Sequence, residues 1–451
     1  MPFRIIISAL LVLFLWSCAG DREDPDYTTI IQGVITVDSQ LDRSGDFSGI
    51  QILSTIVNRD GITDTLFVAV TDTSGSFSGT ARFSESDFYP LIISRNQNVF
   101  GILNVIFSKN DTLSVQAVLP NVSGTVEISS REHDVLEIYE RVDRGFNRVV
   151  NFINAGAISS ADSIQAEIEK WSDIYWELYE EYPGSYAGRV AGEMAVSILR
   201  DWNDAQMLER AEEFRNRSGS LSNETRGVLI EYVAESEGLD AALDYLIMLR
   251  NESTGELNRI EIDVQMIELL YDSSRIVEAD QLLNRFTNEF GDNPVAMDWA
   301  ENTRFDLEFL APGNPFPPIS FRVINGDYVT TSDLTGNPLL IEITRLDNLL
   351  YQQQYDRTVA IYQLYKNFGL EVVTIPLAAN ELMINAFFSE RNMQWKIAEP
   401  GSFDPETILN ALNLTRVPTR FLIDRDGNIV RRYIGNEYDD IVRGLQQITN
   451  Q

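Results

Sequence analysis

The chain of 451 residues carries one cysteine, Cys18, and one histidine, His133. A structural disulfide or a dithiol exchange needs a second sulfur, so neither is available within the chain. Zinc sites built from several sulfurs or imidazoles are excluded too, which leaves only oxygen-ligated cations such as calcium or magnesium. No segment has convincing calcium-loop spacing, and neither a metal nor another cofactor is expected. Basic residues are scarce: 35 Lys and Arg stand against 68 Asp and Glu, a formal charge of −33. Phosphate backbones repel such a chain, so nucleic acid is not an expected partner. The acids are scattered without long blocks, as on a heavily hydrated surface. What is present is ordinary for a folded protein, with 44% hydrophobic and 10% aromatic residues. The length predicts about three domains.

Residues 1–17 read as a signal peptide: Arg4 gives a short positive start and residues 5–16 an apolar run too short for a comfortable membrane span. Leu15-Trp16-Ser17-Cys18 resembles the lipobox of bacterial lipoproteins, although Trp16 is bulky for its place. The resemblance implies cleavage before Cys18 and its acylation, which would make membrane lipid a partner through that residue; two or more acyl chains anchor stably. An ordinary signal peptide with an incidental cysteine is the competing reading. Residues 18–26 form an acidic tether similar to the export signals of Bacteroidota surface lipoproteins, which implies an outer-membrane lipoprotein facing the periplasm or the exterior.

Three regions follow, so the expected fold class is multidomain. Residues 27–128 alternate Val, Ile, Thr and Phe with turn signals at Asp60-Gly61, Ser74-Gly75 and Asn110-Asp111, predicting an N-terminal antiparallel β-sandwich. The run Thr71-Asp72-Thr73-Ser74-Gly75-Ser76-Phe77 resembles a turn of transthyretin-like and carboxypeptidase-regulatory-like sandwiches. From 131 to 310 the period changes to 3.6, with Leu243, Leu246, Ile247 and Leu249 on one expected face, predicting an all-α middle. Segments 238–243 and 274–283 resemble two turns of a tetratricopeptide-like array, and a generic helical linker fits equally well. Trp171, Tyr175, Trp176, Tyr179 and Tyr182 suit core packing better than a sugar-stacking platform, because four of them fall on one helical stripe. His133, between Glu132 and Asp134, reads as a solvated surface histidine whose neighbours favour its protonated form.

Pro312, Pro315, Pro317 and Pro318 mark a boundary near 311. Beyond it, residues 339–343 and 371–375 read as buried strands flanking a helix stopped by Gly369, and residues 420–423 and 429–433 as a hairpin. This order, with Ala311-Pro312, Thr331-Ser332-Asp333-Leu334-Thr335-Gly336 and the stretch from Val417-Pro418 to Val430, resembles the extracytoplasmic thioredoxin-like family. That family includes TlpA- and ResA-type thiol-disulfide proteins and the alkyl hydroperoxide reductase/thiol-specific antioxidant group. The resemblance covers residues 311–451 and implies a C-terminal α/β thioredoxin-like fold with Pro418, after Val417, as a cis-proline beside the active site. It also places Asn348-Leu349-Leu350-Tyr351 where active members carry Cys-x-x-Cys. Asn348 is expected to cap the helix that would otherwise acidify a thiol, and Tyr351 to occupy the more buried second position. Leu349 and Leu350 either face an extended peptide or are covered by the helical region.

The resulting expectation is a lipid-anchored cell-envelope protein with a redox-inactive thioredoxin-like domain, binding or scaffolding an unknown envelope protein or peptide. No catalytic residue is assigned. The alternative, by likeness of fold, is a thiol-disulfide oxidoreductase or peroxiredoxin-like enzyme.

Overall fold

The computed structural model describes residues 27–57, 63–253, 255–324, 326–389 and 391–449. The expected signal segment and tether, Cys18 and the turn expected at Asp60-Gly61 lie outside the described residues. The chain divides into two compact units, Met1–Tyr232 and Val233–Gln451, so the helical stretch is shared between them.

In the first unit, β-branched runs separated by turns build eight strands: β1 (Tyr27–Val37), β2 (Ile50–Val57), β3 (Thr63–Val70), β4 (Ser76–Phe83), β5 (Asp87–Arg95), β6 (Asn98–Phe107), β7 (Thr112–Leu119) and β8 (Glu127–Ser129). They form two four-stranded sheets, ordered β4-β1-β7-β8 and β3-β2-β5-β6. Alternate residues of both, including Ile31, Ile52, Leu91, Val105 and Val115, meet in one core. Pairing is not antiparallel throughout, because β1 and β7 run parallel with Gly33 opposite Val115. The glycine is required there: a β-carbon would lie 1.8 Å from the Val115 carbonyl oxygen. The Asp72 turn is stapled by its own carboxylate, which accepts from the amides of Ser74 and Ser76.

After a short turn of helix, α1 (Val122–Thr125), come α2 (Arg131–Asn154), α3 (Ala161–Glu181), α4 (Tyr186–Ser197), α5 (Asp204–Ser218) and α6 (Asn223–Ser236), the last crossing the division between units. Ser130, Ser160, Ser185 and Asn203 cap four of these by accepting an amide two or three residues into the helix. The aromatic stripe of α3 is packed as core, with Tyr175, Trp176 and Tyr179 buried. His133 departs from its expected charged state. Its Nδ1 lies 3.0 Å from Ser130 Oγ, and burial holds its pKa below the usual imidazole range although Asp111, Asp134 and Glu137 pull upward.

The second unit opens with α7 (Leu239–Glu252), α8 (Glu256–Asp272), α9 (Ile276–Glu289) and α10 (Pro294–Phe305). On α7 the buried face is Ala242, Leu246 and Leu249, and Ile247, expected on it, is 46% exposed. The 100° step per residue carries position 247 off the 242–246–249 stripe. A proline-rich lead-in then gives the short β9 (Ser320–Arg322) and β10 (Tyr328–Thr330). A five-stranded sheet follows, made of β11 (Leu339–Thr344), β12 (Glu371–Pro376), β13 (Lys396–Ile397), β14 (Thr419–Ile423) and β15 (Ile429–Ile434). Its order is β13-β12-β11-β14-β15, with β11, β12 and β13 parallel and β14 and β15 antiparallel. Helices α11 (Leu349–Tyr365), α12 (Glu381–Phe387), α13 (Pro405–Ala411) and α14 (Ile441–Thr449) complete the region. One sheet face packs Ile341, Val373 and Phe421 against Ile408 and Leu412 of α13 and its end. The other packs Leu340, Val372 and Leu422 against Ile361 of α11 and Ile441 and Leu445 of α14. Burial on both sides explains why β11 and β12 read as nearly continuous apolar runs.

The start of the fourth-from-last helix and its candidate site

The sheet places the amino end of α11 beside the Val417-Pro418 bond, which is cis. Asn348 joins the two. Its Oδ1 accepts from the Tyr351 amide at 3.0 Å, capping the helix, and its Nδ2 donates to the Val417 carbonyl at 3.2 Å. Leu349 stands 68% exposed, while Leu350 is half-buried, its side chain beside Gly435. Gly435 has φ 58°, donates its amide to the Pro418 carbonyl at 3.0 Å and accepts from Gln354 Nε2 at 3.1 Å. The structure therefore brings Asn348, Leu349, Leu350, Val417 and Pro418 together at the start of α11, with Leu349 exposed, Pro418 buried and Tyr351 buried behind them.

Tyr351 is wholly buried. Its ring stacks on Phe387 with centroids 5.8 Å apart, and its hydroxyl donates to Glu342 Oε2 at 3.3 Å. Burial and the negative charge of Glu342 hold that phenol well above its ordinary pKa, so it stays protonated.

Below lies a polar cluster that sequence reasoning missed. Glu342 on β11 and Arg420 on β14 face each other across the sheet, both with no exposed side-chain surface, and Arg420 Nε meets Glu342 Oε1 at 2.8 Å. Thr374 Oγ1 at 2.8 Å and Thr358 Oγ1 at 3.2 Å also donate to the carboxylate. Arg420 Nη1 donates to Gln354 Oε1 at 2.8 Å, and its guanidinium lies 3.8 Å over the Tyr438 ring. Nη2 has no partner. Such a cluster satisfies a buried carboxylate through charge, hydroxyls and an aromatic face together. The available signal was an acid interrupting the apolar run Leu339-Leu340-Ile341, because a charge in a doubly covered strand needs a partner.

Chemically, the start of α11 offers a capped helix end and the exposed Leu349, and residues 348–351 and 416–420 contain no cysteine. Cys18 lies outside the described residues, so the structure assigns it no place. Among the described residues no cluster of His, Cys, Asp and Glu has the form of a metal site. No described helix is long and apolar enough to cross a membrane.

No family model matches the chain. Part of it is similar to thiol-disulfide oxidoreductases named ResA. The Bacillus cereus protein is 24% identical over 146 residues, 32% of this chain and 82% of the relative. That of Geobacillus kaustophilus is 23% identical over 140 residues, 31% of this chain and 79% of the relative. Among solved structures, a putative thiol:disulfide interchange protein DsbE from Chlorobium tepidum is 21% identical, covering 31% of this chain and 97% of its own, with a TM-score of 0.28. The thioredoxin domain of a thiol-disulfide oxidoreductase from Bacteroides vulgatus is 18% identical, covering 30% and 97%, also with a TM-score of 0.28. The chain thus has thioredoxin-like similarity over about 30% of its length.

Proposed function

We propose that this is a lipid-anchored protein of the bacterial outer membrane, periplasm-facing or on the cell surface, whose thioredoxin-like domain holds an extended segment of another envelope protein without exchanging thiols. The observation that carries the reading is the start of α11, where Asn348 caps and clamps, Leu349 is exposed and the buried Tyr351 fills the inner position. A helix amino end acidifies a thiol only where a thiol stands, and the single cysteine of the chain lies at position 18. A transthyretin-like sandwich over residues 27–128 and a tetratricopeptide-like array over 131–310 belong to the same proposal as further binding modules. Membrane lipid is the partner expected through acylated Cys18, and an envelope protein or peptide the partner expected at Leu349, Leu350, Val417 and Pro418.

The test uses the chain without residues 1–18 in insulin-reduction and peroxide-consumption assays. Rates equal to the uncatalysed background are expected, and turnover would overturn the reading. Crosslinking in cells from Leu349 should capture a defined protein that Leu349→Asp loses. Labelled palmitate should enter the wild-type chain and not Cys18→Ser. The names of the ResA relatives favour a second reading, a thiol-disulfide oxidoreductase. It requires a reactive Cys18 acting with a sulfur from another molecule, and is distinguished by titrating free thiol in the mature protein.

A further inference from the structure

A cleft of about 530 Å³ lies at the sheet edge, where α11 has ended and β12 and β13 begin. This is within the roughly 300–1,000 Å³ of small-ligand sites. Its aromatic wall is Tyr362 and Trp395, rings 5.7 Å apart and nearly perpendicular. Trp395 spends its only donor inward, on Thr374 Oγ1 at 2.9 Å, so what it can offer a ligand is apolar ring surface. Met393, 42% exposed, adds a polarizable side chain to the same cleft.

The charge of the cleft is anomalous for this protein. The chain has only four lysines, at 109, 170, 366 and 396, and two of them line this one cleft. Lys396 pairs with Glu371, whose other oxygen accepts from Asn337 Nδ2 at 3.3 Å. Lys366 donates to the neutral Gln363, itself held by Gln394 at 2.9 Å, and among the described residues it makes no ion pair. The lining therefore carries two ammonium groups and one carboxylate, a net positive site on a chain of −33. A lysine closing a helix offsets the helix dipole, which accounts for Lys366 alone. It accounts neither for the second lysine nor for the aromatic wall. Each ammonium has three donors and one is used, so four remain for a ligand oxygen pair.

We propose that this cleft binds a small aromatic carboxylate, its ring against Trp395 and Tyr362 and its carboxylate at Lys366 and Lys396. The test uses the full chain labelled with 5-fluorotryptophan, the Trp395 fluorine signal being assigned through Trp395→Phe. Benzoate should shift that signal saturably, while neutral benzyl alcohol and ringless acetate should need at least about tenfold higher concentration. The variant Lys366→Gln, altering an exposed side chain, should weaken benzoate about tenfold with no change in melting temperature, the size of one charged hydrogen bond. Lys366→Arg should restore most of the binding. An unmoved Trp395 signal, equal response to benzyl alcohol, or undiminished affinity in Lys366→Gln would each overturn the proposal.

Discussion

Replacing Arg420 by methionine removes the cation opposite Glu342 and leaves a carboxylate at the centre of the sheet with only hydroxyl partners. The side chains are fully buried and their contact is 2.8 Å, so the change also removes the bond to Gln354 and the close stacking on Tyr438. Breaking one side of a buried pair costs about 3–5 kcal/mol, and the desolvated cation–aromatic contact adds roughly 2 kcal/mol or more. The lower bound, about 3 kcal/mol, corresponds to amide exchange faster by about a hundredfold where global opening controls it. Hydrogen exchange resolved by mass spectrometry reads this in peptides spanning β11 and β14, without requiring both units to unfold together. The double variant Glu342→Leu with Arg420→Met should recover most of the loss, since apolar groups of similar volume often replace a buried pair without penalty. Arg420 Nη2 already lacks a partner, so the native cluster is itself incompletely satisfied. Exchange in Arg420→Met within threefold of wild type, or a double variant as damaged as both single changes combined, would refute the reasoning.

Asn348→Ala loses a helix cap and the clamp on Val417; protection in α11 should fall by about 1–2 kcal/mol, and Asn348→Asp, which keeps only the acceptor, should lie between, as urea titration of exchange reads. Gly33→Ala forces a carbon onto the Val115 carbonyl and should separate β1 from β7, seen as lost exchange protection there while β11 and β12 are unchanged. The two units should respond oppositely to acid. Burial pushes Asp272 up to about 6, with Glu437 and Asp440 adding to it against the pull of Arg431, and pushes Glu268 up to about 7, with Asp272 and Glu437 adding to it. A carboxyl raised in the folded state contributes stability below its unfolded pKa that is lost as pH rises through the folded one, so α8 should gain protection from pH 8 to pH 5. His133, depressed by burial, contributes stability above its unfolded pKa of about 6.5 that is lost as pH falls below it. Protection in α2 should therefore drop over the same interval, and His133→Asn should flatten the response; parallel changes in both helices would contradict this sign.

The legible part of the molecule was local. Asn348 before a helical run and Gly369 at an end each act through neighbours in sequence, and each forms the cap or stop its chemistry predicts. The turn of the hairpin expected between 420–423 and 429–433 is local too, the Asp424 carboxylate accepting from the amides of Asp426 and Asn428. Long-range pairing was not legible. β1 and β7 lie some eighty residues apart, and nothing in either strand states the direction of their pairing. His133 departs from its sequence expectation because flanking acids are visible in sequence while the desolvation that outweighs them is tertiary. At the site, the sequence supplied the upper layer, and the register joining Glu342 to Arg420 supplied the lower one.

The phenol of Tyr351 ties these layers together. Cysteines placed at 348 and 351 would take away the amide that steadies Val417 and open a void over a carboxylate that counts on a hydroxyl above it. A dithiol built here would therefore ask for a different floor as well as a different surface.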